Sequence, residues 1–539
     1  MKVKYIWCVA LALTFAACNN DDDSSTDNDS AIYPPLTSGS ADFSNFISLG
    51  NSLTSGYTDG ALFISGQENS FPKMLSERFE IIGGSEFIQP LTNDNYGGLA
   101  LNGTRIPGFN PRLVTTGGPP VSLESVIGPV TVTTDIVLNN PSGPFNNMGV
   151  PGAKSYHLLA NGYGNIANLS AGLANPYFVR MTGNTPNASM LELTMAQSPT
   201  FFSLWIGNND ILGYASTGGD GSDPITDQPT FDYAYSTLVN TLTSGGAKGV
   251  VANIPYITSI AHFTTVPYNP LDPTNPDFGP QIPTLNLVYG SLNSIFNAYG
   301  QSERNVVFTT TSANAVVIND ENLSDMSSEI TAALLASPTF PAFLESMGLP
   351  AAAAPIVAPL LGSFYGQIRQ ATAEDLFVLR SSAIIGTVNQ TMADALIAQG
   401  LPENIANQFS VEGVTLPLED KWVLIPSEQN EIKMAVDNFN ITIKAAANQA
   451  GLAFVDANSV LQKVASPGGY GYNGFILNSD LVTGGAFSLD GVHPTSRGYA
   501  LIANEFMKAI DATYETNFET SGNFTNLGDY PTNYSPLLQ

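Results

Sequence analysis

"FISLGNSLTSGY", residues 46–57, is the stretch on which the reading of the fold turns. Phe46, Ile47 and Leu49 form a short apolar run that stops at Gly50, and Asn51 and Ser52 follow as small polar residues. A run of this kind, bounded by turn residues, predicts a buried strand breaking into a tight turn. Ser52 then stands at the carboxyl end of that strand. In open α/β sheets ligands bind outside that end, so a serine there is either a helix cap or a nucleophile.

Working outward, the first strand is taken as Phe43–Leu49, and three further apolar runs bounded by turn residues join it: Thr200–Ile206, Gly249–Ile254 and Ala453–Ala457. Stretches of helical period lie between them, at residues 71–79, 231–246 with a glycine stop, and 428–451. Buried strands alternating with helices predict an α/β fold with a parallel sheet covered on both faces. Two segments interrupt the alternation. Residues 91–145 are rich in Gly, Pro and Asn around one alternating stretch, PVTVTTDIVLN (129–139), and predict a β-rich excursion. Residues 313–415 are Ala-rich and predict a helical insertion or cap. Prolines 350, 355 and 359 argue against a membrane span there, because each removes a helical donor. The apolar stretch Ala351–Leu361 has two readings, the lining of an acyl pocket or the insertion's own core. No fixed-period repeat stands out.

The composition is globular, 43% hydrophobic and 12% charged over 539 residues. With 46 acidic against 18 basic residues the formal net charge is −28, which sets the chain against nucleic-acid phosphates and excludes them as a partner. At the N-terminus Lys2 and Lys4 precede an apolar stretch, Tyr5–Ala16, too short to cross a bilayer, which leads into Ala16-Ala17-Cys18. This resembles a bacterial lipoprotein signal peptide, and the resemblance implies cleavage before Cys18 and lipidation of its thiol. Cys8, the other cysteine, lies in the segment that would be removed, leaving no thiol pair and placing stability on core burial. Residues 19–30, NNDDDSSTDNDS, hold no apolar side chain and predict a solvated tether. The acidic run resembles the surface-export signal of Bacteroidetes lipoproteins, or is a plain spacer.

A nucleophilic serine needs a base and a group that orients the base. Of three histidines, His157 and His262 have no acid close in sequence, whereas His493 follows Asp490 by three residues. That spacing lets one short loop supply both. Acyl transfer also needs donors for an oxyanion. WIGNND (205–210) presents Asn209 after a strand, and NNMGVPGAKS (146–155) offers the open backbone of Gly152.

Taken in order, these four blocks resemble the SGNH or GDSL family of serine hydrolases: Gly50-Asn51-Ser52-Leu53 for Gly-Asp-Ser-Leu, Gly152 in the second block, Gly207–Asp210 for Gly-X-Asn-Asp, and Asp490-X-X-His493. The resemblance implies a flavodoxin-like three-layer α/β/α sandwich. It also implies a Ser52–His493–Asp490 triad, an oxyanion hole of Ser52, Gly152 and Asn209, and no metal or cofactor. Asn51 departs from the family's aspartate, and its side-chain oxygen can still accept a local backbone bond. The expected organisation is a signal peptide (1–17), an acidic disordered tether (18–40), a hydrolase domain in two parts (41–312 and 416–515) around the insertion, and a C-terminal tail (516–539). The expected function is a lipid-anchored extracytoplasmic esterase, membrane-bound through Cys18 at the outer membrane and exposed on the cell surface. Its substrate is either an acyl lipid or an acetylated glycan. The alternative is a weak or inactive member of the same fold that binds an outer-membrane protein partner or a glycan.

Overall fold

Phe46–Gly50 is buried at every residue because it is an interior strand of a sheet. The computed structural model describes residues 33–539. Its main sheet contains β1 (Phe46–Gly50), β2 (Asn147–Gly149), β3 (Phe201–Trp205), β4 (Lys248–Ala252) and β5 (Ala453–Val455). They lie side by side in the order β2-β1-β3-β4-β5, every neighbour parallel. This 2-1-3-4-5 order is one of the two common doubly wound arrangements, with its switch point between β1 and β3. Both sides of β1 are occupied, so its near-continuous apolar run is what a buried parallel strand requires. Its one internal polar side chain, Ser48, shares a 2.6 Å hydrogen bond with Ser203 directly opposite on β3.

Seven helices position the sheet and the site: α1 (Ser52–Ser55), α2 (Phe71–Glu80), α3 (Asn209–Ser216), α4 (Gln228–Thr243), α5 (Pro426–Ala450), α6 (Ala457–Val464) and α7 (Ser496–Tyr514). On one face α2 packs against α7, their Phe71 and Phe506 rings 4.7 Å apart and both against Trp205 of β3. On the other, α4 packs against α5 through stacked Phe231 and Phe439, 3.9 Å apart. Local chemistry sets the ends. Asp227 accepts the Thr230 N–H to start α4, Thr495 accepts the Gly498 N–H to start α7, and Gly451 at φ +64° stops α5.

Several sequence expectations change. Strand β2 is an addition: Asn-Met-Gly reads as a turn, yet the Asn146 and Asn147 amides donate to the Phe46 and Thr54 carbonyls at 2.9 and 3.0 Å and fasten it beside β1. The excursion at 91–145 is not β-rich. It holds two short hairpins, and the stretch 129–139 is extended but meets Ala100 at a single bridge from Asp135, with Val132, Thr134 and Ile136 turned inward. The insertion is longer than 313–415, because a separate apolar core gathers residues from Val266 to Ile425. Its fixed points include Tyr289 and Tyr365, whose hydroxyls donate to the Val414 and Thr415 carbonyls at 2.7 Å each. Residues 35–40 belong to the body rather than to a tether: Pro35 and Thr37 bond Asn517, and the Ser40 N–H donates to the Tyr514 carbonyl. The 516–539 segment is likewise packed down, its Ser535 carbonyl accepting from buried Arg112 at 2.7 Å and its Tyr534 9% exposed. The signal segment 1–17, Cys18 and the acidic run behind it lie outside the described residues. No single helix among the described residues is long and apolar enough to cross a membrane.

Where the insertion meets the sheet domain, carboxylate oxygens of Glu321, Asp420 and Glu428 lie within 4.8 Å of one another. Burial, with neighbouring carboxylates adding to it, raises Asp420 to about 7 and Glu428 to about 8. A carboxyl whose folded pKa lies above its unfolded value loses stability as pH rises between the two. Glu428→Gln keeps an oxygen for the Ile425 N–H, which Glu428 accepts at 2.8 Å. It is expected to match the parent at pH 4 and to exceed it by roughly 1–3 kcal/mol above pH 8. Urea unfolding at both pH values checks this, and parallel stability curves would refute it.

Candidate active site

The exit from β1 is dictated by space. A Cβ on Gly50 would sit 2.2 Å from Thr54 Oγ1 and 2.5 Å from the Trp205 carbonyl, so only glycine lets the chain turn there. Asn51, fully buried, then caps α1: its Oδ1 accepts the Leu53 N–H at 3.0 Å, and its Nδ2 donates to Asn208 Oδ1 at 3.4 Å. The cap is therefore Asn51 and not Ser52. Ser52 becomes the first residue of α1, and its hydroxyl is left free of capping duty. An asparagine carries out the local bond as well as an aspartate would.

Asp490 and His493 come from the turn that precedes α7, closed by the Ser488 N–H to the His493 carbonyl at 2.8 Å. His493 Nδ1 pairs with Asp490 Oδ2 at 2.8 Å. Every other contact to the carboxylate is a donor: Ser488 Oγ, Val492 N–H and His493 N–H to Oδ1, and Gly60 N–H to Oδ2. Burial alone would raise the Asp490 pKa, but the imidazole and these hydrogen bonds outweigh it and hold the carboxyl well below the usual range. Asp490 is thus an anion that fixes which imidazole nitrogen carries a proton.

The platform under this turn is the segment just behind α1. The Asp59 N–H donates to Ser488 Oγ at 3.0 Å, Asp59 Oδ1 accepts the Leu489 N–H at 3.1 Å, and Thr58 Oγ1 donates to the Pro494 carbonyl at 3.0 Å. The Tyr57 ring lies 4.6 Å from the His493 ring. Burial pushes Asp59 up to about 7. No local sequence signal marks residues 58–60, since their partners lie some 430 residues away.

On the other side of the cleft Asn209 opens α3, and its Nδ2 donates to the Ala153 carbonyl at 2.9 Å. An amide nitrogen has two hydrogens, so one N–H remains. Asp210 grips the same loop through the Ser155 N–H and hydroxyl at 2.8 and 2.7 Å. Gly152, one residue before the tethered carbonyl, is exposed at φ +80°, and the nearest atom a Cβ there would meet is Asn175 Nδ2 at 3.8 Å.

Ser52, Asn208, Asn209 and His493 line one cleft, with Asp490 behind the histidine. No hydrogen bond joins the Ser52 hydroxyl to His493; contacts of this kind commonly tighten only around a substrate. The other histidines serve elsewhere. His157 accepts the Lys154 N–H at 3.0 Å and stacks on Tyr163, while His262 is buried, held down to about 4 by that burial, and supports the turn through its backbone N–H to the Gly491 carbonyl. No residue of 266–425 lines the cleft, and of the stretch 351–361 Val357, Ala358 and Leu361 lie in the insertion's own core. An imidazole fixed by a carboxylate, a serine at a helix start and spare amide donors can together carry acyl transfer. No family model, curated protein or solved structure matches the chain.

Proposed function

We propose that the chain is a serine hydrolase of the SGNH/GDSL type that cleaves carboxylic esters. The observation that carries the reading is the 2.8 Å Asp490–His493 pair, whose imidazole shares a cleft with Ser52 and Asn209. His493 takes the Ser52 proton as the oxygen attacks the ester carbonyl, and Asp490 stabilises the imidazolium that forms. The oxyanion is received by the Ser52 and Gly152 N–H groups and by the spare Asn209 N–H. His493 then gives its proton to the departing alcohol, leaving an acyl-enzyme that water hydrolyses by the same steps. The 2-1-3-4-5 strand order supports a flavodoxin-like α/β/α sandwich, in which Ser52 and Asn209 follow the carboxyl ends of the two switch-point strands. Anchoring through Cys18 and display at the outer membrane belong to the proposal on the sequence alone.

A small fluorophosphonate tests the reading without knowledge of the substrate. The expected result is a single adduct on Ser52, found by peptide mass spectrometry and lost in His493→Ala. A folded protein that takes up no label would overturn the esterase reading and favour the binding alternative.

A further inference from the structure

The cleft that begins at Ser52 continues as an apolar groove between α6, α7 and the sheet. Val460, Leu461 and Val464 from α6 face Leu501, Ile502 and Phe506 from α7 across it. The two triplets recur at the spacing of one helix face, so each helix turns a continuous apolar stripe to the groove. Apart from the serine end, its only charged lining residue is Glu505, which accepts from Tyr470 and Lys508 at 2.9 and 2.7 Å.

Resting on the esterase reading, we infer that this groove holds the acyl chain of the substrate, and that the chain is of medium length, about 8–12 carbons. The wall of the groove sets the length. From Gly498, beside the catalytic turn, to Phe506 the α7 wall runs eight residues, about 12 Å, or about ten bonds of an extended chain at roughly 1.2 Å each. The whole cleft, serine end included, has a volume of about 120 Å³. A longer chain meets the Glu505 carboxylate with its bonded partners, and an acetyl group leaves the stripes uncovered. A sugar finds too few polar partners along the walls, so the alcohol, and not the acyl chain, carries any polar portion of the substrate.

The test is a series of p-nitrophenyl esters from acetate to palmitate on the full-length protein, with fluorophosphonate labelling of Ser52 run beside it. Expected is a kcat/KM optimum between octanoate and dodecanoate, at least 100-fold above acetate. Ile502→Trp and Val460→Trp, which fill the groove, are each expected to lower the decanoate-to-acetate ratio ten-fold or more. Val464→Ala, which enlarges it, moves the optimum one or two carbons longer and serves if the tryptophan variants do not fold. A labelled Ser52 with a flat series, or with acetate fastest, overturns the acyl groove and leaves the esterase reading standing. An unlabelled Ser52 with no ester cleaved at any length overturns both.

Discussion

Ser52→Ala is expected to lower ester turnover by at least about 10⁴-fold while leaving the fold intact. The hydroxyl makes no structural bond, because Asn51 supplies the cap and the helix start is held by the Leu53 N–H. Its removal therefore takes away the nucleophile and little else. His493→Ala is expected to match it, and the double variant to be no worse than either, since the two act as one unit. Asn209→Ala differs in kind. It removes one oxyanion donor and the Ala153 tether, and an effect of about 10²–10³ in kcat is expected. Steady-state rates beside thermal melts check the series, and equal turnover in wild type and Ser52→Ala would end the proposal.

Asp490→Asn is expected to lower kcat by about 10⁴ and to destabilise the protein as well. The reason lies in what surrounds the carboxylate. Oδ1 faces three donors and Oδ2 faces the Gly60 N–H and the His493 ring, so on either side an amide NH₂ would stand against at least one backbone N–H. Either the NH₂ confronts the backbone donors of the turn, or it faces Nδ1 and selects the wrong tautomer. A buried donor left against donors costs about 1–3 kcal/mol. Asp490→Ala should thus be no more stable than Asp490→Asn. Melting curves of the pair with single-turnover rates separate the two losses, and an asparagine variant with native stability would show the donor count to be wrong.

Much of this architecture was legible in the sequence, for stated physical reasons. Strands β1 and β3 are buried at every residue and β4 and β5 at all but one, and their apolar runs are a local and visible signal. Strand β2 is buried at all three residues, but it is fixed by asparagine side chains and so carries no apolar run. The insertion was misjudged at its start because the helix Ile282–Ala298 shows which residues are apolar but not which of two cores they enter. The sequence of 129–139 alternates as a strand would, yet only 130–134 alternate in burial, Thr134–Ile136 are buried in a row, and only one bridge forms. Ser52, Asn209, Asp490 and His493 could be named in advance because each stands in a short ordered block. The Tyr57–Gly60 platform and the Glu321–Asp420–Glu428 cluster could not, being assembled from segments far apart in the chain.

The bond from Gly60 to Asp490 also has a meaning in time. It closes a loop of 430 residues, and the serine on one side of it has no base until the other side arrives. Contacts of such long range form late, after the intervening chain has condensed. On the function proposed above, a newly made or truncated copy of this protein carries its serine from the start but stays silent. Hydrolysis would then wait until the last tenth of the chain, which carries Asp490 and His493, has been delivered.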